Sequence, residues 1–396
     1  MKSLYLHIGL GKTGSSSLQS WLSLNSTSLA SQGIGYADLV PQAKHGRISS
    51  GNGQPLWRAF KNADLDEVSR LLREEYCPLG GPEVAIVSCE LLQNLPRPQI
   101  LQFRKLCTEL DIAVTVVVFV RSAYEHCYSR YGQSVKRDGA SHAFGEGRTD
   151  LSGWVALDRL VTYSRVFPDN LRILNYDNTE RDIFKAFATA TGIDLSVTTP
   201  LSGRVNRSLT FAELEVLRQI NAVHDGSFAT PISDYLIETF PDREPKIFYQ
   251  DELVEQLRGE HGSDVEWINR HFDVTPPLVA DHYTGEETGA EEDNDASTWS
   301  AIVEWARNYK PPRQKLGEFA DLLDALADWI RDPDPQAANA LSKKARRCRS
   351  GQRLVAKESP AQDPDQASPA EPALRHILTA RGLRNYCRNR LKVRRK

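Results

Sequence analysis

Lys12 lies in the run His7-Ile8-Gly9-Leu10-Gly11-Lys12-Thr13-Gly14-Ser15-Ser16-Ser17, where one ammonium sits among three glycines and four hydroxyls. A glycine-rich turn between a strand and a helix points backbone N–H groups and the positive end of the helix at an anion. Lys12 adds a full positive charge to that site. The hydroxyls of Thr13, Ser15, Ser16 and Ser17 add donors. The chemistry of such a loop is the holding of anionic oxygens and the neutralising of charge on a departing one. It is not a Walker A loop, which needs its lysine at the helix start after GxxxxG, because Lys12 comes two residues before Gly14. The plainer alternative is a tight strand-to-helix turn with serine caps.

A second anion-binding pair is Arg121 and Ser129. Arg121 follows the apolar run Ala113–Val120 (AVTVVVFV), and Ser129 comes eight residues later. An arginine at a strand end lies on the carboxyl edge of a sheet, where α/β proteins bind ligands. Ser129, two turns into the following helix, faces the same crevice, and a guanidinium with a hydroxyl suits a phosphate. The competing role for Arg121 is a salt bridge or a cap.

These residues need an α/β scaffold to hold them, and the pattern supplies one. Leu4–Ile8, the VAIVS run within Glu83–Ser88, Ala113–Val120 and Leu171–Leu174 read as buried strands. Asp66–Glu75, Gln99–Leu110, Tyr124–Val135 and Arg181–Thr191 read as helices between them. The alternation predicts a parallel sheet flanked by helices, with a P-loop-like first strand, loop and helix. Beyond Pro200 the strands fade. Thr210–Asn221 opens on a Thr-x-x-Glu capping box, and residues 231–280 read as short helices and loops.

Together, HIGLGKTGSSSLQ, a strand followed by Glu90, and FVRSAYEHCYSRY resemble the sulfotransferase superfamily over roughly residues 3–215. That family takes its sulfuryl group from 3′-phosphoadenosine 5′-phosphosulfate. The resemblance implies that the loop carrying Gly11, Lys12, Thr13, Gly14, Ser15, Ser16 and Ser17 holds the 5′-phosphosulfate, and that Arg121 and Ser129 hold the 3′-phosphate. Two positions depart from the family pattern. Ser15-Ser16 replaces a threonine pair, keeping the hydroxyls, and Ser122-Ala123 replaces Asp-Pro after the arginine, which loosens the second motif.

Sulfuryl transfer to a hydroxyl also needs a base. Glu90, just past the VAIVS strand, is the candidate, and carbohydrate-type members of the family use a glutamate in such a place. Glu90 as a helix cap, or as an ion-pair partner of Lys12 or Arg121, is the structural alternative. Histidines compete for the base role. His7 reads as a buried strand residue whose Nε2 orders the loop, His126 as a residue facing solvent, and His45 as a residue of a Gly/Ser-rich loop that nothing in the sequence ties to a site. Arg204 and Asn206-Arg207-Ser208, before the Thr210 helix, are candidates for holding nucleotide or acceptor.

The chain has 396 residues, 40% hydrophobic and 26% charged, which excludes a disordered or collagen-like protein. Without an apolar run of 18 residues no transmembrane helix is expected, and a cytoplasmic location follows. None of the six cysteines forms a CxxC pair, so reduced thiols are expected and structural zinc is not. The expected organisation is an α/β domain over 1–280, an acidic linker or loop over 281–298, a helical extension over 299–332, and a Pro/Ala-rich then basic tail over 333–396 that reads as disordered and unable to bury a core. Residues 341–396 carry 16 lysines and arginines against 4 acidic residues, and the remainder 33 against 48. The basic tail fits an anionic membrane surface or a polyanionic glycan. Nucleic acid is disfavoured, because Tyr386 is its only interleaved aromatic.

The function expected from all this is transfer of a sulfuryl group to an acceptor hydroxyl on a glycan or glycolipid, with no metal. A P-loop-type small-molecule kinase and an inert glycan-binding module of the same fold are the alternatives.

Overall fold

Eight of the nine residues of Ile112–Val120 are apolar and most are β-branched, a composition that suits a strand covered on both faces. That strand, β4, is flanked by β1 (Lys2–His7) and β5 (Leu171–Asn175), while β3 (Val84–Ser88) pairs with the other side of β1 and β2 (Ile34–Gly35) closes the edge. All four pairings are parallel, giving the order β2-β3-β1-β4-β5. The computed structural model describes residues 1–39, 51–147, 150–177, 182–201, 207–285, 294–332 and 334–358.

Alternation along the strands divides the core. Leu4 and Leu6 of β1, Ala85 and Val87 of β3, and Val116, Val118 and Val120 of β4 face one layer. Ile86, Val117 and Phe119 face the other, where they meet Leu18, Trp21 and Leu22 of α1 (Ser15–Leu24) and Phe187 farther along the chain. The fold is therefore an α/β sandwich about a parallel sheet, as expected.

The chain order places a topological switch at β1. It runs from β1 out to β2 and β3, then crosses to β4 and β5 on the opposite side. Connections leaving neighbouring strands in opposite directions open a crevice at their carboxyl ends. The loop after β1 is held to β4 by three backbone bonds, Ile8 N–H to Val117 O at 3.2 Å, Leu10 N–H to Phe119 O at 2.8 Å and Phe119 N–H to Gly9 O at 2.6 Å.

Helices beyond the sheet correct the expected outline. Phe211–His224 carries the anticipated capping box, with Thr210 and Glu213 satisfying each other's backbone. Within 231–280, read as short helices and loops, Asp251–His271 is one helix of 21 residues. The helix Asn294–Asn308 begins inside the supposed linker. The packed body also does not stop at 332, because the helix Pro335–Glu358 lies along Leu316–Ile330 and buries Ala337, Ala338, Leu341, Ala345 and Cys348. Lys343, Arg346 and Arg347 stay exposed on its outer side. The rest of the basic tail, 359–396, lies outside the described residues. No described helix is long and apolar enough to cross a membrane.

Candidate active site

Three connections emerge from adjacent strand ends and bring the chemistry-bearing residues to one edge. The 9–14 loop leaves β1, Glu90 follows β3, and Arg121 follows β4.

The loop is built by left-handed backbone. Gly9 (φ 102°), Lys12 (φ 67°) and Gly14 (φ 74°) all have positive φ. At Gly14 the left-handed backbone favours glycine, and a Cβ there would press on Ile183 Cδ1 at 2.9 Å and Tyr176 Cε2 at 3.3 Å. Lys12 has no such freedom, and a left-handed non-glycine residue costs on the order of 1 kcal/mol. Lys12 Nζ donates to Gln133 Oε1 at 3.0 Å.

Burial pushes the Lys12 ammonium down to about 8, with Arg130 and Arg137 in the same direction and Glu90 and Asp138 opposing. Gly14 is the N-cap of α1, with no side-chain capping bond and no acid in the first turn. The helix start therefore presents positive potential beside the lysine. Ser15 Oγ is buried with no partner, and Ser16 and Ser17 are half-buried next to it. Thr13 differs from the expectation: its hydroxyl is turned inward and donates to Leu10 O at 2.5 Å.

Glu90 packs against the loop, for a Cβ at Gly9 would lie 3.2 Å from Glu90 Cβ. Glu90 is not a helix cap, and it makes no ion pair within 4 Å among the described residues. It opens the short 3₁₀ turn Glu90–Asn94, which has no side-chain cap. Its carboxylate accepts from Gln19 Nε2 at 3.0 Å, while Lys12 and Arg121 turn to other partners. Glu90 is a half-buried carboxylate held by one neutral amide, within electrostatic reach of Lys12.

Arg121 stacks over Tyr176, its guanidinium carbon 5.3 Å from the ring centre. Its Nε lies 3.4 Å from Asp177 Oδ1, within ion-pair distance but not aligned as a hydrogen bond. Burial opposes ionisation of Asp177, but His282, the Ser122 N–H and Arg121 together hold it below the usual carboxylate range. The Ser122 N–H donates to Asp177 Oδ2 at 2.6 Å. Ser129 is half-buried in α6 (Ala123–Gln133) and has no hydrogen-bond partner among the described residues. Lys12 thus reaches the far end of the helix that Arg121 precedes.

The histidines fall differently from the expectation. His7 is fully buried, but it is Nδ1 that bonds, to Ser88 Oγ at 2.8 Å, while Nε2 has no partner. His126 does not face solvent; it is 5% exposed, on the inner side of α6. His45, Arg204 and Asn206 lie outside the described residues. Arg207 is structural, its guanidinium bonded at 2.7 and 2.9 Å to the buried carboxylate of Glu213. Cys77, Cys89, Cys107, Cys127 and Cys348 are buried free thiols.

Gln19, Gln133 and Asp177 went unforeseen. Each acts by holding another site residue, and no spacing or charge pattern singles out such partners. Compared with protein-family models, with characterised proteins and with solved structures, the chain finds no match.

Proposed function

We propose that the chain is a sulfotransferase, moving a sulfuryl group from 3′-phosphoadenosine 5′-phosphosulfate to an acceptor hydroxyl on a carbohydrate or glycolipid. The observation carrying this reading is the convergence of Lys12, Glu90 and Arg121 at the ends of three adjacent parallel strands, about the switch point. The partnerless Ser15 hydroxyl and the uncapped start of α1 fit an anion beside Lys12.

In this reading Arg121 and Ser129 hold the 3′-phosphate, and the 11–17 loop holds the 5′-phosphosulfate. Glu90 takes the proton of the acceptor hydroxyl as its oxygen forms a bond to sulfur. Lys12 and the N–H groups of α1 stabilise the charge gathering on the bridging phosphate oxygen as its bond to sulfur breaks. The products are a sulfate ester and adenosine 3′,5′-bisphosphate. Membrane attachment through the basic tail remains part of the proposal.

The test is transfer of a radiolabelled sulfuryl group from the donor to a panel of glycans and glycolipids. Labelled product from the wild type and not from Glu90→Gln supports the reading. Equal labelling by both would remove Glu90 from the mechanism, and label in none of the panel with intact donor binding would remove the glycan acceptor.

A further inference from the structure

His126 is buried on the stripe of α6 that ends at the Lys12 contact, and one of its ring nitrogens has no partner among the described residues. It lies on α6 four residues after Ser122, three before Ser129 and seven before Gln133, positions that share one stripe of a helix. Gln133, at the far end of that stripe, receives the Lys12 hydrogen bond. Arg121 stands at the near end. His126 and Ser129 lie between them.

The ring is 5% exposed and its Nδ1 has no hydrogen-bond partner. Buried polar atoms are nearly always satisfied, so an orphan invites an explanation. The charged groups acting on it are Arg130 of its own helix, Arg121 after β4, Lys12 of the loop after β1, and Asp177 after β5. Burial and the three cations keep the imidazole neutral, pushed down to about 3. A neutral imidazole offers a hydrogen bond without adding a fourth charge to the cluster.

Arg121 already has a carboxylate neighbour in Asp177, and Ser129 brings one hydroxyl. A phosphate between them has oxygens to spare for another donor. We propose that His126 is a third ligand, beside Arg121 and Ser129, of the nucleotide's 3′-phosphate, an inference that rests on the donor reading above.

The experiment is calorimetric titration of the full chain with adenosine 3′,5′-bisphosphate and with adenosine 5′-monophosphate. His126→Phe keeps the ring shape and removes both nitrogens; His126→Gln restores a donor. In His126→Phe the bisphosphate should bind tenfold or more weakly, with the monophosphate within twofold of wild type, and His126→Gln should recover part of the loss. A parallel loss for both nucleotides, or no loss for either, overturns the role. Should His126→Phe fail to fold, nitrogen-15 spectra of histidine-labelled wild type give the answer. A His126 ring signal that moves with the bisphosphate and not with the monophosphate supports the contact, and one that moves with neither overturns it. A wild type that binds neither nucleotide sinks the donor reading and this inference together, whereas bisphosphate binding with an unaffected His126→Phe sinks only the inference.

Discussion

Lys12 Nζ and Gln133 Oε1 are hydrogen-bonded at 3.0 Å across 121 residues of sequence. The bond ties the loop after β1 to the end of the helix that begins beyond Arg121. It aims a strained, half-buried ammonium along the crevice between them. Gln133→Leu should leave the loop fold intact and release that aim. The expected result is a kcat lowered about tenfold, roughly 1.4 kcal/mol in the barrier, with little change in donor KM. A large rise in donor KM with unchanged kcat would assign Gln133 to binding instead.

On the sulfotransferase reading, Lys12→Ala removes the charge that would meet the departing oxygen. The loss is ~3 kcal/mol, on the scale of one oxyanion donor, and turnover should fall at least a hundredfold. Circular dichroism should show an unchanged fold, because the lysine supports no core. Retention of a tenth of wild-type activity would exclude Lys12 as the electrostatic catalyst.

The pH profile follows from the same residue. Lys12 is pushed down to about 8 by burial, and only the ammonium can stabilise the leaving oxygen. Activity should therefore be present below that value and lost as pH rises through it. The limb should appear near pH 8 in kcat/KM for the donor, which reports the free enzyme, and higher in kcat, because the bound anion favours the charged lysine. Lys12→Arg should move the limb out of range. The sign for stability is the opposite: the folded value lies below the unfolded 10.5, so Lys12 adds stability above that range and loses it as pH falls through 8.

The sheet was legible because buried parallel strands carry long apolar runs, and β1, β3, β4 and β5 were each found within a few residues. β2 was not, since Ile34–Gly35 offers two residues and no periodicity. Asp251–His271 was not legible as one helix: it carries Gly259 and Gly262, whose low helix propensity is overridden by burial of Val254, Leu257, Val265 and Ile268. Pro335–Glu358 escaped notice because its buried side is mostly alanine, which reads as composition rather than core. In the site, charged residues at strand ends were visible and the glutamines orienting them were not. His126 shows the limit plainly: sequence gives its helix, but only packing gives the side it faces.

Leu341 tests the corrected outline of the body. It is fully buried in the helix Pro335–Glu358, in a region read as unable to form a core. Leu341→Ala should cost ~2–5 kcal/mol and lower the melting temperature by several degrees, whereas Arg346→Ala on the exposed side should leave it within experimental error. Equal melting of both variants would mean that this helix adds nothing to the folded body.

The most direct test of the sulfotransferase reading is thermal stabilisation of the wild-type chain by adenosine 3′,5′-bisphosphate, set against ATP with Mg²⁺. A ligand at a hundred times its Kd stabilises the folded state by about 2.7 kcal/mol, enough to raise the melting temperature measurably. The account predicts a rise with the bisphosphate, lost in Lys12→Ala and reduced in Arg121→Ala, and no comparable rise with ATP and Mg²⁺. Stabilisation by ATP and Mg²⁺ alone would contradict it and point to phosphoryl transfer.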